Sequence, residues 1–167
     1  MQNILFQHGP VKTERLVLKP LTKADAIDLV LITNDPLVAA GISFLRQPFR
    51  IADAEGLIEQ QAQGTDCFAA ARRQTDGAFV GVVGAHGRGL DIEIGYWLGA
   101  SFHGHRYASE AARTMLKLIR DNYPTRPIIA ECSPENKASW RLLEKLNFQD
   151  TGRRGQAKGR NVLQLKG

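Results

Sequence analysis

From Tyr107 onward, apolar residues fall at Ala108, Ala111, Ala112, Met115, Leu116 and Ile119. That is the spacing of one helical face, and it predicts a long amphipathic helix. Just ahead, Ile92, Ile94 and Tyr96 alternate with Glu93 and Gly95 and run into Trp97 and Leu98, the period-two pattern of a strand. Between the two lie residues 99–106, GASFHGHR, too polar and glycine-punctuated to continue either period. A strand, a glycine-bearing loop and a helix, in that order, aim free backbone N–H groups at whatever sits before the helix. Such a terminus favours an anion, phosphate above all. Taken alone, the loop reads equally well as a plain connection with an incidental glycine.

The same patterning organises the rest. Thr13 to Leu21 alternates Leu16 and Leu18 against charges and closes at Pro20, an edge-type strand. Thr22, with Asp25 three residues on, predicts a capped helix carrying Ala26, Ile27, Leu29, Val30 and Leu31, followed by a short turn over 37–41. Asp53 is expected to cap a second helix through Leu57, Ile58 and Gln61 that ends at Gly64. Residues 67–72 and 78–85 form a predicted hairpin around Asp76-Gly77, and residues 86–89 a second turn. Residues 127–132 read as a buried strand, and Ala138, Leu142, Leu143 and Leu146 as the stripe of a last helix ending at Asn147. One or two strands follow from Gln149. The order β-α-α-β-β-β-α-β-α-β predicts an α/β (α+β) fold with a mostly antiparallel mixed sheet. A doubly wound dinucleotide fold needs strands and helices in alternation and is excluded. We expect one domain over 1–167, with residues 1–12 a flexible N-terminal segment.

Composition changes this picture little. The chain has 167 residues, 43% hydrophobic and 23% charged, as in ordinary soluble domains. Without a membrane-spanning run or a signal pattern, a cytoplasmic protein is expected. The net charge of +5 points to anionic partners such as nucleotide cofactors, acidic substrates or RNA. Its excess is C-terminal (Arg153, Arg154, Lys158, Arg160, Lys166) and lacks the interleaved aromatics of a nucleic-acid surface, so no direct nucleic-acid partner is expected. Cys67 and Cys132 read as buried small hydrophobes. His103 and His105 have no third ligand at metal spacing, and no metal is expected.

Four stretches carry a resemblance: TERLVLKPL (13–21), EIGYWL (93–98), HGHRYASEA (103–111) and PENKASWRLLEKLNF (134–148). In that order and spacing the chain resembles the GNAT superfamily of acetyl-CoA-dependent N-acetyltransferases, nearest the branch that acetylates ribosomal-protein N-termini. The resemblance implies a sheet of six to seven strands with about four helices and two central strands that splay. It implies that acetyl-CoA lies in the splay, its pantetheine arm against the backbone of Trp97 and Leu98. The amides of His103, Gly104, His105, Arg106, Tyr107 and Ala108 would cradle its pyrophosphate, and Asn136 and Ser139 would meet the thiol arm. The chain departs from the family pattern at Ser101 and Arg106 in the loop, at Leu143 where a tyrosine acid often stands, and at Asn147 where glycine is usual. Arg106 either weakens cofactor binding or, with His105, adds charge to it.

Amine acetylation needs a base, a polarised carbonyl and a proton for the leaving thiolate. Glu93 is the candidate base, against a solvated strand glutamate. Ser139 is the candidate to protonate the thiolate, against a helix-surface serine. Tyr96 is a substrate wall, an acid or a core aromatic. The leading reading is acetyl transfer to a primary amine by direct attack, with a protein N-terminus as first acceptor. A small-molecule amine, or a non-catalytic acyl-CoA-binding module, is the alternative. Acceptor specificity is expected from residues 34–50 and the C-terminal strands, in a monomer or homodimer.

Overall fold

The computed structural model describes residues 1–42 and 45–167. Its strands are β1 (Val11–Lys12), β2 (Leu16–Pro20), β3 (Asp66–Arg73), β4 (Phe79–Arg88), β5 (Asp91–Leu98), β6 (Ile128–Cys132), β7 (Phe148–Arg154) and β8 (Asn161–Leu165). Its helices are α1 (Gln2–Leu5), α2 (Ala26–Thr33), α3 (Pro36–Ala39), α4 (Ile51–Gln63), α5 (Tyr107–Asn122) and α6 (Lys137–Lys145). The strands make one eight-stranded sheet, ordered β1-β2-β3-β4-β5-β6-β8-β7. Every neighbouring pair is antiparallel except β5 and β6, which run parallel. The mixed, mostly antiparallel α/β architecture expected from the sequence is the one present. No described helix is long and apolar enough to cross a membrane.

Helices cover both faces, which is why β3 and β4 read as continuous apolar runs rather than alternating ones. In β3, Cys67, Ala69 and Ala71 pack with Ala111, Met115 and Ile119 of α5, while Phe68 and Ala70 pack on the opposite side with Leu29 of α2 and Ala54 and Ile58 of α4. Small residues let these layers approach closely. A Cβ on Gly84 would lie 2.4 Å from Nε2 of His86, so the buried imidazole occupies the space that glycine leaves.

Several expectations need correction. Residues 86–88 continue β4 instead of turning, because Gly87 donates to the Thr65 carbonyl and Arg88 pairs with Asp91. The hairpin bend falls at Gly89, which takes the left-handed conformation with φ 59°. Asp53 is the third residue of α4 rather than its cap, and accepts the Arg50 amide at 2.8 Å. The N-terminal segment, expected to be flexible, is packed: Leu5 and Phe6 are buried in the core on the α5 side. Ile27 and Leu31 of α2 face outward, so that helix buries Ala26, Leu29 and Thr33 instead. The Thr22–Asp25 capping box forms, and Asn147 takes φ 71° after α6, both as the sequence indicates.

Candidate active site

The parallel neighbours β5 and β6 stay paired only at Ile92–Ile128 and Glu93–Ile129, then diverge. Ile92 donates its amide to Pro127 on the β6 side. Backbone groups alternate along a strand, so those of Ile94, Tyr96 and Leu98 also point into the gap. The Leu98 carbonyl accepts from Nε2 of His103 at 3.0 Å, which folds the loop back onto the strand. On the other edge Gly99 donates to Val80, so the backbone of Trp97 faces β4, and its indole donates to Thr33 at 3.2 Å.

Beyond Leu98 a single 3-10 turn (Ala100–Phe102) leads into the loop. Gly104 has φ 79°, and Arg106, immediately before α5, sits at φ 64° and ψ 12°. The left-handed conformation costs a residue with a side chain about 1–2 kcal/mol, and glycine almost nothing. Arg106 therefore keeps the backbone shape that a glycine would adopt. No side chain caps α5. Among the described residues, the amides of residues 104 through 109 donate to nothing. A row of free donors thus meets the positive end of a 16-residue helix. Chemically it is an anion cradle lined by backbone, with the His105 and Arg106 side chains at its rim.

The opposite wall is the start of α6. Asn136 caps that helix by accepting the Ser139 amide at 3.1 Å. The Ser139 hydroxyl lies 2.8 Å from the Tyr96 hydroxyl. Burial pushes the Tyr96 phenol above its ordinary value, the Ser139 bond pulls it partly back, and neighbouring Cys132 adds a further rise. Burial likewise raises the Cys132 thiol, against a hydrogen bond from Ser139 and the charge of Arg160. Tyr96, Ser139 and Cys132 therefore form one polar cluster in the splay. No local spacing indicates that Tyr96 and Ser139 touch, since 43 residues separate them.

Glu93 lies on the other face of the sheet, at the closed end of the gap. Its Oε2 accepts from Arg88 Nε at 2.9 Å, while Oε1 has no partner among the described residues. Arg88 also reaches Asp66 at 3.1 Å, and Asp66 lies 3.3 Å from Nδ1 of His86. The His86 contact first, then Arg88, holds the Asp66 carboxyl below its ordinary value despite burial. This chain of charges was not anticipated, because its members come from three strands. Further along the same face, Glu131 accepts the Gln156 amide at 2.8 Å and pins the β7–β8 hairpin. Arg160 donates to the Gly41 carbonyl at 2.7 Å, joining that hairpin to the segment after α3. Residues 43 and 44, within the 34–50 stretch expected to shape specificity, lie outside the described residues. The described residues contain no cluster of three His, Cys, Asp or Glu placed to hold a metal.

Comparison with known proteins agrees with this geometry. The model of the acetyltransferase (GNAT) domain matches residues 15–149. An uncharacterized N-acetyltransferase, p20, of Bacillus licheniformis is 31% identical over 152 residues, covering 84% of this chain and 82% of its own. Among solved structures, the ribosomal-protein-S5-alanine acetyltransferase of Vibrio fischeri superposes with a TM-score of 0.77 at 16% identity, over 93% of this chain and 94% of that one. The microcin C7 self-immunity acetyltransferase, solved with acetyl-CoA and AMP, superposes with a TM-score of 0.76 at 20% identity, over 90% of this chain and 92% of that one. The two superpositions speak for the fold, and the family match with the curated relative for the kind of enzyme: the chain belongs to the GNAT acetyltransferases.

Proposed function

We propose that this enzyme moves the acetyl group of acetyl-CoA to a primary amine, in the first instance the N-terminal amine of a protein, by direct attack. The observation that carries the reading is the row of unpartnered amides over residues 104–109, opening onto a gap lined by the backbone of Tyr96 and the amide of Leu98. Gly104, His105, Arg106, Tyr107 and Ala108 hold the pyrophosphate through these amides, and the left-handed Arg106 turns them outward; the His103 amide, expected among them, is spent on the Ala100 carbonyl at 3.1 Å. The pantetheine arm pairs with the strand at Leu98, with Trp97 buried behind it and Asn136 fixing the far wall.

An α-amino group has a pKa of about 8, so most of it carries a proton at neutral pH and cannot attack. Glu93 removes that proton, directly or through water, with the oxygen that Arg88 leaves free. Roughly 10 Å of strand separates Glu93 from Tyr96, so the base sits past the thioester, at the end of the gap. Ser139, its hydroxyl held by Tyr96 at 2.8 Å, hands its proton to the departing thiolate as the C–S bond breaks, and regains one from solvent when CoA leaves. The Tyr96 amide, the next backbone donor facing the gap, polarises the carbonyl.

The S5 acetyltransferase supports a ribosomal-protein type of acceptor, whereas the microcin immunity enzyme supports a small molecule. A panel of N-terminal peptides and small amines, read by acetyl transfer, decides between them. Glu93→Gln is expected to lower turnover on any accepted amine by about 100-fold, with acetyl-CoA affinity unchanged within a factor of about two. Unchanged turnover removes Glu93 from the chemistry. Intact cofactor binding without turnover on any amine would favour a non-catalytic acyl-CoA-binding module.

A further inference from the structure

The opening TERL stretch (13–16) has no part in the roles above, yet it reaches the cofactor loop across the sheet. Thr13 donates its hydroxyl to Oε1 of Glu110, in the first turn of α5. The Arg15 amide donates to that same oxygen at 2.7 Å. The guanidinium of Arg15 forks onto Oε2 through Nε at 2.8 Å and Nη2 at 2.8 Å. Its Nη1 donates to the His105 carbonyl at 3.0 Å, and its carbon lies 4.5 Å from the centre of the Tyr107 ring. One side chain therefore touches the residue before Arg106, the residue after it and the first turn of the helix.

The His105 contact has a directional consequence. Across a trans peptide the C=O and the following N–H point to opposite sides. With its carbonyl drawn to Arg15, the His105–Arg106 peptide turns its N–H away from Arg15, toward the open side of the loop. The Glu110 fork meanwhile anchors the helix whose first residues supply the remaining amides. The left-handed Arg106 carries conformational strain, and free amides supply no bonds to offset it. Something outside the loop must hold that shape, and Arg15 has the contacts to do so.

We propose that Arg15, with Thr13, is a positioning residue for the acetyl-CoA loop: it holds residues 104–108 in the anion-accepting conformation before the cofactor arrives. This rests on the cofactor site described under Proposed function. An unrestrained loop is competent only part of the time, and apparent affinity falls in proportion to that fraction. If release leaves the loop competent a tenth of the time, the Kd for acetyl-CoA rises about 10-fold while turnover at saturation stays unchanged.

The test uses full-length protein carrying Arg15→Ala, Arg15→Lys, Glu110→Gln, and Arg15→Ala with Glu110→Gln. Acetyl-CoA affinity is read by calorimetry, and backbone order of residues 104–108 by NMR relaxation without ligand. In the native protein these amides should be rigid, with order parameters near ~0.85 despite having no hydrogen-bond partners, and Arg15→Ala should drop them toward ~0.6. Order in β3–β5 should not change, which separates loop release from unfolding. Arg15→Lys retains the charge without the fork and should recover only part of the affinity. The double variant should be no worse than the poorer single one, since both act through one contact. Loop order and affinity unaltered in Arg15→Ala, or fully additive losses, would overturn the proposal. Should native protein fail to bind acetyl-CoA, the cofactor reading fails, and the NMR comparison still decides whether Arg15 holds the loop.

Discussion

Two helices begin at the edge of the same gap, and they treat their free donors in opposite ways. At α6, Asn136 folds its side chain onto the Ser139 amide, so that terminus is satisfied internally and presents a hydroxyl to the gap. At α5 the preceding residue is an arginine in the left-handed region that offers no cap, and the amides of residues 104–109 face outward unspent. An uncapped terminus forgoes about 1 kcal/mol that a capping side chain would contribute. The difference separates a helix whose first turn is closed by its own side chain from one whose donors stay open, as the proposed cofactor site requires. On the proposed reading, one gap takes a strong anion at one end and neutral proton chemistry at the other.

The largest effect is expected from making the open terminus resemble the closed one. Arg106→Asp supplies a capping carboxylate to α5 and places a negative charge where phosphate would sit. Acetyl-CoA affinity should fall on the order of 100-fold while thermal stability rises, since the new cap also suits the helix dipole. Retained affinity, measured by calorimetry at low salt, would show that the loop amides are not where the pyrophosphate binds.

Next comes Glu110, which anchors α5 as Asn136 anchors α6. Burial raises its carboxyl, but the bonds from Thr13 and Arg15 outweigh that and hold it below the ordinary value of 4.5. A depressed carboxyl stabilises the fold above its unfolded pKa and loses that contribution as pH falls through the folded one. Glu110→Gln should therefore be destabilised at pH 7 by about 1.5–3 kcal/mol, the range for hydrogen bonds to a charged group. The gap to native protein in denaturant titrations should close below pH 4.5. The smallest change is expected from Asn136→Ala: about 1 kcal/mol of stability lost with the cap. Its acetyl-CoA affinity should move less than that of Arg106→Asp, because the amide it frees lies on the wall opposite the 104–109 amides.

How much of this was legible depended on the range of the interaction. The α5 stripe, the β5 alternation, the Thr22–Asp25 box and the left-handed Asn147 are set by residues within a few positions of one another, and local pattern found them. The clamp from Arg15 to Glu110 and the contact from Tyr96 to Ser139 join residues 95 and 43 positions apart, which no periodicity encodes. Asp53 misled because a carboxylate at the third helical position makes the same kind of bond as one at the cap. The turn expected at residues 86–89 begins only at Gly89 for a different reason: Gly87 reads as a loop residue, yet here its missing side chain lets Thr65 approach the strand. Arg106 looked like a defect in the loop pattern, and its φ shows that the backbone shape survived the exchange of side chain.

The strand order also bears on self-association. An open sheet ends in two edges, and each bare edge is a template on which another chain can pair. Here one edge is β1, only two residues long. The other is β7, where the register shifts between Asp150 and Arg154, Gly152 takes φ 75°, and the exposed Arg153 and Arg154 add like charges. Neither offers the flat, neutral run that sheet extension requires, so growth by strand addition is blocked at both ends of the molecule.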